Sequence, residues 1–212
     1  MLGGIEIVER SASAASQRRA RLVEIARAVF FEHGYGATSM SRIAEIAGGS
    51  KTTLWTYFPS KEALFAAVCD DLVERYGRAL TTPIDPSAPI AEQLRLFGSA
   101  LLDTVLSPPM IDLQRLVIGE AARFPEMARL FFERGPARGK ARLASLVRAA
   151  MDRGDLRAAD PALAASQFVG LLQARSWHWL LLGLVEDYPA EQRMAEIEMA
   201  VASFLTGWKP TD

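Results

Sequence analysis

The residues with the clearest chemical potential lie between positions 38 and 61. Hydroxyl, cationic, indole and phenol groups recur there at short intervals, namely Thr38, Ser39, Arg42, Ser50, Lys51, Thr52, Thr53, Trp55, Tyr57 and Lys61. Such groups donate hydrogen bonds to phosphate oxygens and to the edges of bases. The chemistry that this stretch predicts is therefore recognition of nucleic acid.

Two short helices joined by a tight turn are needed to present these groups. Thr38 or Ser39 caps the first helix, and Gly48-Gly49 supplies the turn. Ser50 caps the second helix, and Pro59 ends it. The core-facing positions are Met40, Ile43, Ala44 and Ala47 in the first helix and Leu54 and Phe58 in the second. Helices joined in this way place the second one in the major groove of double-stranded DNA.

The rest of the chain reads as helix throughout, which predicts an all-α protein. It has an N-terminal three-helix helix-turn-helix domain and a larger C-terminal helical domain for ligand binding and dimerisation. We expect a flexible arm over residues 1–16, the helix-turn-helix domain with its connecting fourth helix over 17–80, a proline-rich linker over 81–89 and the helical domain over 90–208. Helices are expected at about 17–33, 60–80, 89–106, 108–123, 125–134, 136–153, 160–184 and 189–208. Gly34 is placed to end the first of these in a left-handed conformation.

Composition fits a globular protein, because half of the 212 residues are hydrophobic and 23% are charged. The net charge is only −1, but seven Lys and Arg residues against three Glu between Ser16 and Lys61 make that segment basic. The single Cys69 excludes a disulfide framework, and the apolar run Trp179 to Val185 is too short to span a bilayer. With no targeting segment read, we expect a cytoplasmic protein that does not enter the membrane.

Two classes of protein are alternatives to a DNA-binding regulator. An enzyme is disfavoured because the chain has only His33 and His178, without metal-ligand spacing, and no nucleophile or phosphate-loop motif. We therefore expect no catalytic residue, no metal and no cofactor. A helical adaptor or ligand carrier that does not bind DNA is the remaining alternative, and the salt dependence of DNA binding separates it from a regulator.

The chain resembles a TetR-family transcriptional regulator over about residues 18–70. The resemblance rests on three ordered stretches, FFEHGYGATS from Phe30, IAEIAG from Ile43 and SKTTLWTYFPSKEALF from Ser50 to Phe65. Residues Leu113 to Pro136 are similar to the AefR-like subgroup. The resemblance implies a homodimer whose heads bind a palindromic operator, most often as a repressor that a ligand releases. Two positions depart from the family pattern: Gly49 replaces Val or Ile in the turn, and Trp55 replaces Tyr.

Within that frame, each residue type suggests a role and a plainer alternative. Lys51, Thr52 and Thr53 lie at the start of the second short helix, the recognition helix. The N-terminal end of such a helix contacts the edges of the bases. The phenol of Tyr57 and the ammonium of Lys61 are suited to phosphates, and the family uses the matching lysine in that way. Thr38 and Ser39 either cap a helix only or also touch the DNA backbone, while Trp55 either contacts DNA or packs. The arginines at 18, 19, 21 and 42 either contact phosphates or are solvated.

The C-terminal domain suggests a pocket for a small, largely apolar effector. Its candidate lining residues are Phe97, Met110, Phe131, Phe168, Trp177 and His178, although aromatic residues at helical spacing are more often core. The last two helices carry long apolar faces, which predict a four-helix dimer interface. Those faces comprise Leu163, Phe168, Leu171, Leu172 and Arg175, then Met194, Ile197, Val201 and Leu205, and burial within the monomer is the alternative.

Overall fold

The computed structural model describes residues 3–48 and 51–210, and every regular element within them is a helix. The expected all-α class is therefore confirmed. None of the helices in these residues is long and apolar enough to cross a membrane. The chain forms two compact units, the first made of Met1–Asp71 with Leu116–Phe131 and the second of Leu72–Arg115 with Phe132–Asp212. The proline-rich segment 81–89 lies inside the second unit, and 116–131 joins the first, so the division differs from the expected boundaries.

Twelve helices occur in the described residues, and three of them cross the boundary between the units in sequence. The first unit begins with α1 (Gly3–His33), α2 (Met40–Ile46), α3 (Lys51–Tyr57) and most of α4 (Lys61–Tyr76). The second contains α5 (Arg78–Thr81), α6 (Ile90–Val105), the start of α7 (Pro108–Glu120), the end of α8 (Pro125–Arg134), α9 (Pro136–Asp152), α10 (Pro161–Leu172), α11 (Ser176–Leu181) and α12 (Ala190–Gly207).

The expected flexible arm over residues 1–16 is wrong from residue 3 onward, because α1 already begins at Gly3. No proline or glycine occurs between Gly4 and Gly34, and the serine-alanine stretch at 11–16 contains alanine, the strongest helix former. Continuous backbone hydrogen bonding is therefore available across the whole segment. Gly34 ends α1 with a φ of +84°, which confirms the predicted left-handed stop.

The single helix expected over 160–184 is also wrong, since the structure divides it into α10 and α11. The ladder tightens at residue 174, whose N–H donates to the carbonyl of Leu171, and Arg175 leaves the helical region with φ −129°. The reason lies in tertiary contacts: the Trp177 indole donates to Gln114 at 2.6 Å, and Arg115 donates to the carbonyls of Leu180 and Leu181. An apolar period cannot report such contacts.

The fourth helix is shorter than expected, because it ends at Tyr76 and is followed by the short α5. Gly77 lies at the break, where an added Cβ would collide with the carbonyl oxygen of Val73. Arg142 then donates to the carbonyls of Ala79 and Thr82. These two carbonyls have no helical partner beyond the end of α5, so the guanidinium satisfies them.

Each unit has its own hydrophobic core. In the first unit the rings of Phe30, Tyr35 and Phe65 are fully buried, with centroids 5.3 to 5.9 Å apart. In the second unit α6, α9, α10 and α12 enclose a larger core, in which the rings of Phe168 and Phe204 meet edge to face at 5.3 Å. Aromatic pairs at such distances add stability beyond the area that they bury.

Candidate nucleic-acid interface

The first of the two short helices is positioned by a cap and an apolar face. Ser39 is the N-cap of α2, and its hydroxyl accepts a hydrogen bond from the Arg42 N–H at 3.1 Å. Met40, Ile43 and Ala44 are buried, as expected from their spacing. The turn that follows contains Gly48 with a φ of +64°, a conformation that glycine adopts without strain. The predicted turn partner Gly49 and the predicted cap Ser50 lie outside the described residues.

The second short helix, α3, buries one side and leaves the other open to a ligand. Leu54 and the following Phe58 are buried and fix the helix to the core. On the other side, Thr52 is exposed, the Trp55 side chain is 48% exposed, and Tyr57 is partly exposed. Thr53 is half-buried, and Lys51 begins the helix with a side chain that lies outside the described part of the structure. The structure thus presents Thr52, Trp55 and Tyr57 on the outer surface of α3.

Lys61 has a role within the protein that its position in the sequence does not reveal. Its ammonium donates hydrogen bonds to the carbonyls of Tyr35 at 2.9 Å and Thr38 at 3.1 Å. It also lies 4.2 Å from the centroid of the Tyr35 ring. Two of the three N–H groups are therefore used to hold the turn between α1 and α2, and one remains for an external acceptor. A phosphate contact by Lys61 stays a prediction.

Thr38 points inward rather than toward solvent. Its side chain is buried, and its hydroxyl donates to the Gly34 carbonyl at 2.7 Å. Of the two residues proposed to cap α2, Ser39 does so and Thr38 closes the preceding turn. The plainer of the two alternatives, a local structural role, therefore describes the Thr38 hydroxyl.

A shallow groove brings several of the predicted residues together. It has a volume of about 440 Å³ and is lined by Gly36, Ala37, Thr38, Ser39, Met40, Ser41, Trp55 and Lys61. One cation, two exposed serine hydroxyls and an exposed indole thus surround one surface depression. These are the donor types that bind a sugar-phosphate backbone.

The predicted arginines divide into different environments. Arg42 is exposed, with a guanidinium nitrogen 3.9 Å from a carboxylate oxygen of Glu45. The Arg19 guanidinium lies over the Phe58 ring, 5.0 Å from its centroid, so it packs against the residue that follows α3. Arg18 and Arg21 are exposed and line a cavity of about 490 Å³ between α1 and the α2–α3 pair. Arg18, Arg21 and Arg42 are therefore the arginines best placed for an external anion.

Ionisable groups beneath the turn support its geometry. Burial, and then the neighbouring Glu62 carboxylate, raise the pKa of Tyr35 well above its usual value. Hydrogen bonds from its own backbone N–H and from the Ser60 hydroxyl lower the pKa of Glu62. Ser60 also accepts from the Ala63 N–H at 3.1 Å, which confirms it as the cap of α4. At neutral pH Tyr35 is thus a neutral donor and Glu62 an anion.

The residues expected to line an effector pocket lie in different environments in the structure. Phe97 and Phe168 are fully buried in the core of the second unit, and Met110 is buried. His178 is exposed, with Nδ1 3.0 Å from the Gln173 carbonyl, while Phe131 belongs to the first unit. A cavity of about 300 Å³ in the second unit is lined instead by Leu106, Pro108, Ile111, Asp112, Arg115, Leu180, Gly183, Val185, Glu186, Asp187, Tyr188 and Arg193.

Sequence reasoning missed the polar residues that organise the second unit. Gln114 is buried and donates to the carbonyls of Val105 and Met110 while accepting from Trp177. Arg115 and Arg142 donate to backbone carbonyls at the ends of α11 and α5. Their only signal was a polar residue on an otherwise apolar helical face, which does not identify the partner.

The predicted dimer faces are partly internal. Phe168, Leu172, Ile197 and Val201 belong to the core of the second unit, because they lie where α10 and α12 pack within the monomer. For these four residues the alternative, burial within the monomer, describes the structure. Leu163, Leu171 and Met194 are exposed, Arg175 is exposed, and Leu205 is partly buried.

Comparisons with known proteins agree with this geometry. The family model for bacterial regulatory proteins of the tetR family matches residues 22–68, and the model for the AefR-like transcriptional repressor C-terminal domain matches residues 92–210. The solved structure of the Flavonoid-responsive Regulator FrrA is 37% identical, with a TM-score of 0.81, and the match covers 93% of this chain and 100% of that one. A TetR family transcriptional regulator from Pseudomonas syringae is 28% identical, with a TM-score of 0.73, over 90% of this chain and 96% of that chain.

Curated relatives match over a shorter stretch. The HTH-type transcriptional regulator RutR of Escherichia coli K12 is 34% identical over 97 residues, which cover 44% of this chain and 46% of that protein. The chain thus spans about half the length of the curated relatives that it matches first. The fold and the helix-turn-helix surface define a DNA-binding transcriptional regulator. The chain belongs to the TetR family, with a C-terminal domain of the AefR-like type.

Proposed function

We propose that this regulator is a homodimeric repressor that binds a palindromic operator and is released by a small, largely apolar ligand. The groove beside α2, with Lys61, Ser39, Ser41 and Trp55 around it, is the observation that carries the mode of DNA binding. Lys51, Thr52 and Thr53 read base edges, while Ser39, Arg42, Tyr57 and Lys61 hold the backbone. The protein acts in the cytoplasm, where its operator is.

The dimer part of the proposal is supported by apolar side chains left in solvent. Leu163 and Leu171 of α10 are 52% and 39% exposed, and they lie on one face that also contains Gly170. Met199 of α12 is 70% exposed, with Ala195 and Ala202 beside it on the same face. Small and apolar residues of this kind allow helices of two copies to approach closely. A two-fold dimer would read two half-sites about 34 Å apart, which requires a palindrome.

The release step is supported by the cavity in the second unit. A volume of about 300 Å³ with apolar and charged lining residues is at the lower end of the range for ligand sites, roughly 300–1,000 Å³. FrrA is described as responsive to flavonoids, and it resembles this chain over nearly its full length. Planar polyphenols are therefore the first class of compound to screen.

A titration against the DNA upstream of the gene tests operator binding. The protein is added to a labelled fragment and to a non-specific duplex at physiological salt. Specific regulators bind their sites roughly 10³–10⁷ times more tightly than other DNA, so only the upstream fragment should bind at nanomolar concentration if the gene is autoregulated. Equal weak binding would place the operator elsewhere and call for genomic selection. No binding at low salt would refute the DNA-binding proposal for the isolated protein.

Mass measurement in solution tests the dimer. The wild-type protein should have twice the monomer mass of 23.2 kDa, and the variant Leu163→Glu/Leu171→Glu should shift to monomer. Leu96→Glu is the matched control, because Leu96 is also an exposed leucine, 47% exposed, but lies on α6. A double variant that remains dimeric would move the interface away from α10. Repression is then tested by a reporter under the operator, which should be silenced by the protein and restored by an effector.

A further inference from the structure

A segment distant in sequence holds the turn that precedes the helix-turn-helix. Residues 116–131, at the end of α7 and the start of α8, belong to the same compact unit as the DNA-binding helices. They contact the turn formed by Gly34–Thr38. The hydrogen bond between them joins Gly36 and Glu120, which are 84 positions apart in the sequence. The operator contacts proposed above do not explain this attachment.

The central contact joins a carboxylate to one backbone amide. The Gly36 N–H donates to both carboxylate oxygens of Glu120, each at 3.0 Å. The approach is so close that a Cβ added at Gly34 or Gly36 would lie 2.7 Å from a Glu120 oxygen. A side chain at either position would displace the Glu120 carboxylate, and at Gly36 its Cβ would also lie 2.8 Å from the Phe124 ring, while Gly34 is further favoured by its left-handed backbone. The single N–H is shared between the two oxygens, and charge-assisted hydrogen bonds are stronger than neutral ones.

An aromatic and cationic stack adds to this contact. The Phe124 ring meets the Tyr35 ring edge to face, with centroids 5.2 Å apart. The Lys61 ammonium lies 5.4 Å from the Phe124 centroid and 4.2 Å from that of Tyr35, while donating to the carbonyls of Tyr35 and Thr38. The same turn is thus held by Glu120 through its amide and by Lys61 through its carbonyls.

We propose that Glu120 and Phe124 are positioning residues for operator binding, which act through the Gly34–Thr38 turn and Lys61. The inference rests on the proposed operator contacts of Lys61. Because Lys61 binds the turn with two N–H groups, the direction of its third N–H and the location of its charge depend on where the turn lies. Glu120 fixes that turn by its hydrogen bond to the Gly36 N–H. Phe124 packs against the Tyr35 ring and lies near the Lys61 ammonium. Neither residue needs to touch DNA.

A positional role differs measurably from a purely stabilising one. If Glu120 acts through Lys61, its removal should weaken the phosphate contact of Lys61 and so reduce the salt dependence of binding. The slope of log K against log salt falls by about one for each phosphate contact that is lost. If Glu120 only stabilises the fold, DNA binding by the folded fraction keeps its slope.

The test uses the full-length protein with the operator found by the titration above. The variants are Glu120→Ala, Glu120→Gln, Gly36→Ala and Lys61→Ala, together with the double variant Glu120→Ala/Lys61→Ala. Glu133→Ala is the control for charge, since Glu133 is an exposed residue of α8. Gly119→Ala is the control for helix substitution, because a Cβ there meets no atom within 4 Å. Helix content and melting temperature confirm folding in each case.

We expect Glu120→Ala and Gly36→Ala to raise the operator Kd by about tenfold and to lower the salt slope by about one, as Lys61→Ala does. The double variant should be no worse than Lys61→Ala alone, because both changes remove one shared contact. Glu120→Gln keeps an acceptor oxygen and should recover part of the affinity. Amide exchange of Gly36, measured without DNA, should accelerate in Glu120→Ala.

Four outcomes would overturn the inference. An unchanged Kd and slope despite faster Gly36 exchange would leave the contact real but without influence on DNA, and the regulator function would stand. A higher Kd with an unchanged slope that adds to the Lys61 effect would reduce Glu120 to a stabilising residue. A wild-type protein that binds no DNA would remove the proposed function together with this inference. If Glu120→Ala does not fold, the other two variants still test the inference. It is refuted if Glu120→Gln and Gly36→Ala both bind the operator with the affinity of the wild type.

Discussion

Several polar side chains at the cap of α2 and on α3, in the first unit, are exposed to solvent, whereas several polar side chains of the second unit donate to backbone carbonyls. In the first unit Ser39, Thr52 and Trp55 are open to a ligand. In the second, Gln114 donates to the carbonyls of Val105 and Met110, and Arg142 donates to the carbonyl of Ala79. Residue types of similar chemistry therefore bind an external partner in one region and have a structural role in another, depending on which groups the fold brings near them.

Lys61 belongs to both descriptions, which makes it the most informative residue of the comparison. Its ammonium satisfies two carbonyls of the turn, like the arginines of the second unit, and it also borders the surface groove. A cation that is hydrogen-bonded to a neighbouring turn has a fixed location before DNA binds. Such preorganisation avoids the entropy loss of ordering a long side chain on binding.

The largest effect should come from the core of the second unit. Phe168→Ala removes a fully buried ring that contacts Phe204, so the free energy of unfolding should fall by about 3–5 kcal/mol. Urea unfolding measures this loss, and Phe132→Ala, at an exposed phenylalanine, is the control. A small loss would mean that Phe168 borders an adaptable pocket, as the sequence had suggested.

Removing the Lys61 ammonium should affect both stability and DNA binding. Lys61→Ala breaks two charge-assisted hydrogen bonds, each worth about 1.5–3 kcal/mol, and leaves the Tyr35 and Thr38 carbonyls with one partner fewer. The salt slope of operator binding should also fall by roughly one. Lys209→Ala, at an exposed lysine after α12, should change neither quantity. Loss of stability with an unchanged slope would assign Lys61 to architecture alone.

Lys51→Ala should act on specificity rather than on stability. We expect a loss of about 1–3 kcal/mol at one base-pair position, measured by binding to a set of single-substitution operators. Uniform weakening of every operator sequence would instead identify Lys51 as a phosphate contact. Comparison with Lys61→Ala then separates reading of bases from holding of the backbone within the same head.

The smallest effect concerns alkaline pH in the second unit. Burial, and then a hydrogen bond to Glu196, raise the pKa of Tyr188 to about 12 from its ordinary 10. A raised pKa in the folded state means that its stabilising contribution is complete below pH 10 and is lost as the pH rises toward 12. Urea unfolding at pH 9 and pH 11 should show a steeper decline for the wild type than for Tyr188→Phe. Equal declines would contradict this assignment.

Much of the helix-turn-helix region could be predicted, because its sequence patterns involve residues close together in the chain. The cap at Ser39, the left-handed glycines and the buried positions of α2 and α3 depend on residues within a few positions of one another. The contacts of Glu120 and of the Lys61 ammonium depend on residues 84 and 26 positions away, and no local pattern marks them. The inward turn of Thr38 has the same cause, since its hydroxyl bonds the end of α1.

The second unit shows the opposite balance. Helix spacing identified most of its helices, but the break between α10 and α11 follows from Trp177 and Arg115 binding to other elements. The large aromatic residues could not be divided between core and pocket, because a helical period records only that a face is apolar. Phe97 and Phe168 are buried in the core of the second unit, and a cavity of that unit is lined by other residues, of mixed polarity.

Local spacing, caps and ordered short motifs are enough to predict the helical class, the helix-turn-helix and the family from the amino-acid sequence. Tertiary structure alone decided which side chains face one another: Glu120 with the Gly36 amide, Lys61 with the turn carbonyls and Gln114 with Trp177. The physical reason is that hydrogen bonds between distant residues require an orientation that only the packed helices supply. The residue type determines which hydrogen bonds a side chain can donate or accept, and the packing of the helices determines its partner.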